Sequence, residues 1–181
     1  MILPSRIYVL CALVFFSCAG VSNSELTRAK TIAQSKEQFA ANPFGFEITV
    51  DNFQHHYGNI LKQEYYLITN QENELAVKIY WFHKGKTEIR ITQTDRLMSA
   101  DIYDTKIKLK NDIHVGLSRK EFFWKFTDWM YDSADSLTLF SADAGCTFTF
   151  VFSKDKLKSI HIENRQSQLD RLRRNLISTI I

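Results

Sequence analysis

The chain has 181 residues, of which 45% are apolar and 13% aromatic, and its net charge is +3. That length and composition supply one compact domain with a substantial core. Two prolines and six glycines exclude collagen-like chains and long disordered segments. The charge is too slight to support a nucleic-acid-binding surface, which needs a concentrated basic face.

The first residues of the chain have the pattern of an export signal. Met1–Arg6 carries one positive charge, and Ile7–Phe16 is an unbroken apolar run that is too short to span a bilayer as a helix. Small residues follow in Ser17–Gly20. A charged start, a short apolar core and small residues at the end are typical of a secretory signal.

Cys18 stands where a bacterial lipoprotein signal places its lipidated cysteine, and the segment resembles a relaxed lipobox. We therefore predict a signal peptide over residues 1–17, lipidation of Cys18, and a membrane-anchored protein facing the periplasm. The alternative is cleavage by an ordinary signal peptidase after Gly20, Ser22 or Ser24. That cleavage would give a soluble periplasmic or secreted protein.

Residues 18–42 are mostly small, polar and charged, and we predict that they form a tether. Asn42-Pro43 marks a turn, so the sequence predicts a single domain over residues 43–181. With Cys11 in the signal and Cys18 lipidated, Cys146 remains as a lone thiol. Lone cysteines in strand-like sequence are usually buried small residues, which is our interpretation of Cys146.

The first half of the domain is predicted to be a helix followed by strands. Phe44–Thr49 is a short strand candidate, and Thr49 is placed to cap a helix that carries Phe53 and Tyr57 on one face. β-branched and aromatic residues then predict strands over 64–69, 75–83 and 87–94. Residues 97–110 extend this sheet or link the two halves.

The second half repeats the order of helix and strands. Gly116 ends a strand, and Ser118 with Glu121 forms a capping box before a helix with an aromatic face. Strands are predicted over 136–141, 146–152 and 157–163, followed by a C-terminal helix over 167–181. That helix either covers the sheet or binds a membrane surface or partner. Its apolar positions are Leu169, Leu172, Leu176 and Ile180.

Landmarks at matched spacing in the two halves indicate an internal repeat. The interval from the first helical phenylalanine to a phenylalanine before a lysine-containing turn is 29 residues for Phe53–Phe82 and 30 for Phe122–Phe152. We predict an α+β fold of two tandem helix-plus-antiparallel-meander repeats, about 43–110 and 111–166. The meanders form one sheet, with helices packed on one face and the C-terminal helix added.

The segment Ile113–Phe126 resembles the opening of the repeats in the β-lactamase-inhibitor-protein-like fold. It also resembles the small outer-membrane lipoproteins of the SmpA/OmlA type, which carry one such unit. Gly116, Ser118 and Lys154–Lys156 fit that pattern over about 50 residues of the second half. Thr49 lacks the glycine two residues before it, and the paired cysteines of the inhibitor family are absent. The resemblance implies protein binding on the open face of the sheet.

No pattern in the sequence points to catalysis, to a metal or to a cofactor. The motifs HExxH, CxxC and GxSxG are absent, and the histidines are single or adjacent rather than spaced as ligands. What remains is a row of aromatic residues with the character of a binding face. The candidate partner-binding residues are Tyr65, Tyr80, Phe82 and Tyr103, unless the C-terminal helix covers them.

We therefore expect an exported cell-envelope lipoprotein that acts as a protein-binding adaptor. Its partners would be an unknown envelope protein and, through Cys18, the membrane, with no nucleic acid. A first alternative is a periplasmic carrier of small hydrophobic ligands, with an apolar cleft between sheet and helix. A second is an enzyme whose site is assembled only in space.

Overall fold

The computed structural model describes residues 33–69 and 76–164. In these ranges the chain forms three short helices: α1 (Lys36–Ala41), α2 (Val50–Tyr57) and α3 (Arg119–Trp124). Seven strands form the main sheet: β1 (Lys62–Thr69), β2 (Ala76–Lys84), β3 (Thr87–Thr92), β4 (Leu97–Ile102), β7 (Ser136–Ser141), β8 (Cys146–Ser153) and β9 (Lys156–Asn164). A small two-stranded ladder of β5 (Lys108–Leu109) and β6 (Ile113–His114) connects the halves.

The seven strands are all antiparallel to their neighbours, in the order β1-β2-β3-β4-β9-β8-β7. Two consecutive meanders thus meet where β4 pairs with β9. The fold class is α+β and dominated by its sheet. The predicted C-terminal helix, 167–181, lies outside the described residues.

One face of the sheet carries the core. A row of paired residues crosses six strands on that face and is buried throughout: Phe82, Ile89, Ala100, Ile162, Phe148 and Leu139. The three helices contribute phenylalanines to the same face, and their ring centroids lie 4.8–5.7 Å from rings of the sheet in Phe39–Phe148, Phe53–Phe82 and Phe122–Phe150. We call this the core face and the other one the open face.

The two helices that precede the meanders are capped and packed in similar ways. Thr49 accepts a hydrogen bond from the backbone of Asn52, and Ser118 forms the predicted capping box with Glu121. The ring of Phe122 lies 5.3 Å from that of Phe152, as the ring of Phe53 lies 5.7 Å from that of Phe82. The two phenylalanine pairs that are spaced 29 and 30 residues apart in the sequence are therefore in ring contact in the fold.

The domain begins before residue 43, so the predicted tether over residues 18–42 is too long. Ser35 forms a capping box with Gln38, and Phe39 of α1 is fully buried. Its ring packs edge-on against Phe126 and Phe148. Because α1 contributes to the core, at least residues 34–42 belong to the folded domain.

The strand predicted over Phe44–Thr49 is also wrong. These residues form a loop outside the ladders, in which Phe44 and Phe46 pack 4.7 Å and 5.2 Å from the ring of Phe53. Both side chains turn toward α2, so the alternation that a strand requires is absent.

Phe82 belongs to the core, and its prediction as a solvent-facing partner residue is wrong. It pairs with Ile89 on the core face, whereas Trp81 and His83 lie on the open face. β2 carries large side chains on both faces, so its sequence does not show which of the two faces is buried.

We predict that Phe82→Ala lowers the free energy of unfolding by about 3–5 kcal/mol, because it removes a fully buried ring from a close-packed core. Tyr65→Ala, at a residue that is 63% exposed on the adjacent strand, should cost less than about 1 kcal/mol. Urea denaturation of both variants measures the difference. Equal losses would place Tyr65 and Phe82 in similar environments and contradict this assignment.

Candidate functional site

The strongest candidate for a binding surface is the β1–β2 end of the sheet. β1 is an edge strand with no described strand on its outer side, so every second backbone N–H and C=O points away from β2. Tyr65, Leu67 and Ile68 are 63%, 60% and 48% exposed. Free edges of this kind are usually protected by charge, proline or a covering element.

Apolar side chains are exposed on both faces of this strand. On the core face Tyr65 pairs with Tyr80, beyond the area that the helices cover. On the open face Ile68 pairs with Val77, which is also exposed. We call Tyr65, Tyr66, Leu67, Ile68 and Val77 the edge patch.

Lys78 lies over the rings of both tyrosines on the core face, Tyr65 and Tyr80. Its ammonium nitrogen lies 4.0 Å from the ring centroid of Tyr65 and 4.8 Å from that of Tyr80. A cation over an aromatic ring contributes about 0.5–1 kcal/mol at an exposed site. That contribution modestly favours the arrangement in which both rings lie close to the Lys78 ammonium.

The structure brings together only two of the four predicted partner residues. Tyr65 is exposed and Tyr80 is half-buried beside it. Phe82 is in the core, and Tyr103 lies on the open face, where its ring is 5.6 Å from that of His161. Leu67 and Ile68 were not among the predicted partner residues, although the uninterrupted apolar run Tyr65–Ile68 was a usable signal. A strand that is apolar at consecutive positions must expose some of those side chains unless both faces are covered.

A polar network occupies the middle of the open face. His161 Nδ1 lies 2.6 Å from Asp101 Oδ1, and Nε2 of the same ring lies 2.9 Å from Ser159 Oγ. That connectivity is the one used by Ser-His-Asp nucleophiles. A cavity of 220 Å³ adjoins it, lined by Asp101, His161, Glu163, Thr147 and Thr149.

Access and geometry argue against a nucleophile here. Ser159 is only 4% exposed and does not line the cavity. It sits within the β8–β9 ladder, where the backbone amides are engaged by neighbouring strands and provide no oxyanion hole. The arrangement is best explained as a hydrogen-bonded network that satisfies a buried hydroxyl. Within the described ranges, no three His, Cys, Asp or Glu side chains are grouped so as to hold a metal ion.

A second cavity, of 340 Å³, lies at the end of the core face between α1 and the sheet. Its lining mixes polar residues with apolar ones, and the apolar residues include Ala40, Ile48, Leu97 and Phe148. Cys146 is also in the lining, and burial raises the pKa of its thiol, as expected for an inert small residue. Arg96 and Asp95 lie among the lining residues as well.

Cys18, the predicted lipidation site, lies outside the described residues. None of the helices in residues 33–69 and 76–164 has both the length and the apolar character needed to cross a bilayer.

Comparison with known proteins adds little to this geometry. No protein-family model matches the chain, and no curated protein does. Among solved structures, the crystal structure of the uncharacterized protein yfeY from Escherichia coli is similar, with a TM-score of 0.32 and 14% identity. The alignment covers 74% of this chain and 97% of that one. A likeness of this size carries no argument about fold or function.

Proposed function

We propose that this protein is an exported cell-envelope lipoprotein, anchored through Cys18, that binds another envelope protein along β1. The observation that carries this proposal is an edge strand with exposed apolar side chains on both faces. The partner supplies an extended segment that adds to the sheet as an eighth strand. Main-chain hydrogen bonds provide affinity in this mode, and alternate side chains provide specificity.

The size of the edge patch is consistent with a specific contact. Full burial of a Leu, Ile or aromatic side chain is worth roughly 1.5–3 kcal/mol, and Tyr65, Leu67 and Ile68 are each about half exposed or more. An added strand contacts both faces at once, because its own side chains alternate. The charged residues of β1, Lys62 and Glu64, pair with each other at the start of the strand. The second half of the strand carries no charge. The partner segment is therefore apolar where it meets Tyr66–Ile68.

We also propose that the two meanders descend from one duplicated unit, as in the β-lactamase-inhibitor-protein-like fold. The matched ring contacts Phe53–Phe82 and Phe122–Phe152 support this, as do the caps at Thr49 and Ser118. Single-unit envelope lipoproteins of the SmpA/OmlA type would then be related to each half.

A photo-crosslinking amino acid at position 67 tests the binding mode in intact cells. We predict one discrete adduct with another envelope protein, and none when the same amino acid replaces Thr138 on β7. Ile68→Lys should abolish the adduct because it places a charge in an apolar contact. Phe140→Lys is the matched control, since Phe140 is an exposed apolar residue on the opposite edge strand.

Three results would contradict this proposal. They are the absence of any adduct at position 67, an adduct that survives Ile68→Lys, and an adduct of twice the chain mass. The last result would identify a second copy of the chain as the occupant. Unchanged urea midpoints for both lysine variants exclude unfolding as the cause of a lost adduct.

The cavity of 340 Å³ favours one further candidate function, a carrier of small hydrophobic ligands. We expect a medium-chain fatty acid to raise the melting temperature if the cavity is the site, because a ligand bound only to the folded state stabilises it. Ala144→Phe should remove that shift by filling the cavity, whereas Ala142→Phe, in the same turn but outside the lining, should leave it intact. A shift unaffected by Ala144→Phe would exclude this cavity as the site.

A further inference from the structure

A second exposed apolar group lies at the other end of the sheet. Residues 124–131, which we call the aromatic loop, begin at the last residue of α3 and lead toward β7. Met130 and Tyr131 are 86% and 62% exposed, and Trp124 is 45% exposed. The Tyr131 ring lies 5.2 Å from that of Phe123 and Lys120 lies over the Trp124 ring, yet all three side chains keep at least 45% of their surface exposed to solvent.

The backbone and one ring of the aromatic loop are anchored to the domain by packing and hydrogen bonds. Trp129 is half-buried, and its ring lies 5.0 Å from that of Phe126 and 5.8 Å from that of Phe150. The buried guanidinium of Arg119 donates to the backbone carbonyls of Asp132 and Ala134, just beyond the loop. The exposed side chains therefore project from a fixed base.

The chain that leads from Cys18 enters the domain at this loop. Gln34 donates a backbone hydrogen bond of 3.0 Å to Lys125 and accepts one of 3.0 Å from Thr127. The backbone N–H of Lys36 donates to Asp128. Gln34 is sixteen positions after Cys18, so Gln34 and the loop beside it lie within about 55 Å of a lipidated Cys18, even with the intervening chain fully extended.

We propose that the aromatic loop rests on the lipid surface to which the protein is tethered, with Trp124, Met130 and Tyr131 in the headgroup region. This inference rests on the proposed export and anchoring of the chain. Tryptophan and tyrosine favour that region because their rings are apolar and their N–H and O–H groups reach water. Lys120, whose ammonium lies 4.8 Å from the Trp124 ring centroid, is suitably placed for lipid phosphates.

A lipid surface fits this patch better than a protein does. A stable protein interface buries about 800 Å² on each partner, which three side chains do not provide. A membrane contact can be smaller, because the tether already holds the loop near the surface at high effective concentration.

The charges around the loop are mixed. Lys36, Lys120 and Lys125 are offset by the acidic residues Glu37, Glu121 and Asp128. The contact therefore depends on apolar side chains, so we expect it to change little with salt or with the fraction of anionic lipid.

The contact would also orient the domain. The aromatic loop packs on β8, whereas the edge patch is on β1, five inter-strand spacings of about 4.8 Å from β8. A domain that rests on the loop thus holds the edge patch about 24 Å across the sheet from its membrane contact.

Quenching by brominated lipids tests this contact. The processed protein, purified from envelopes, is added to or reconstituted in vesicles of equal phosphatidylethanolamine and phosphatidylglycerol with brominated acyl chains. The chain has three tryptophans, Trp81, Trp124 and Trp129. We expect strong quenching that Trp124→Phe reduces at least twofold and that the matched variant Trp81→Phe leaves in place. Met130→Ser with Tyr131→Ser should also reduce it.

Flotation of the same samples distinguishes lipid anchoring through Cys18 from membrane contact of the aromatic loop. If the protein is quenched and floats only when Cys18 is present, both the lipid anchor and the loop contact are supported. Quenching without any dependence of flotation on Cys18 supports the loop contact and contradicts lipid anchoring. Absence of quenching in the protein that carries Cys18, or quenching that persists in Trp124→Phe, would overturn the loop proposal. Circular dichroism of each variant confirms that it is folded.

Discussion

Four residue pairs between β4 and β9, from Ser99↔Glu163 to Ile102↔Ile160, join the two meanders into a single sheet. Ala100 pairs with Ile162 in the centre of the buried row, so the same contact that aligns the backbones also continues the core. Because the join is in the middle, β1 and β7 become the outer strands. Six inter-strand spacings, about 29 Å, separate these two strands, and the edge patch on β1 lies five of those spacings from β8, on which the aromatic loop packs.

The helices depend on this sheet for their stability. With six to eight residues each, they are too short to be stable alone. Capping side chains define where they begin, and phenylalanines dock them on the core face. The docking of α1 also places Gln34 beside the aromatic loop, where its backbone hydrogen-bonds to Lys125 and Thr127.

Local sequence signals predicted much of this architecture. The capping box at Ser118 and the strands predicted over 87–94 and 136–141 are confirmed, since β3 spans Thr87–Thr92 and β7 spans Ser136–Ser141. Such signals act within a few residues, so a single chain reveals them. Helix α1 was missed because only Phe39 and Ala40 are buried in it, and two apolar residues do not establish a period.

The sites were harder to predict than the elements. β2 is apolar at consecutive positions, so its pattern cannot show which face is buried, and Phe82 was assigned to the wrong one. Asp101 and His161 are 60 residues apart and meet only because β4 pairs with β9. The aromatic loop is joined to Gln34 by a parallel bridge at Phe126, and no local sequence pattern indicates that contact.

We propose that the outer edge of β1 receives another chain while β7 stays free. Hydrogen–deuterium exchange of the protein in native envelopes, compared with the purified protein, measures this directly. We predict that β1 amides directed away from β2 gain protection in the envelope, whereas the protection of β7 amides is unchanged. Protection gained at β7 instead, or at neither edge, would contradict it.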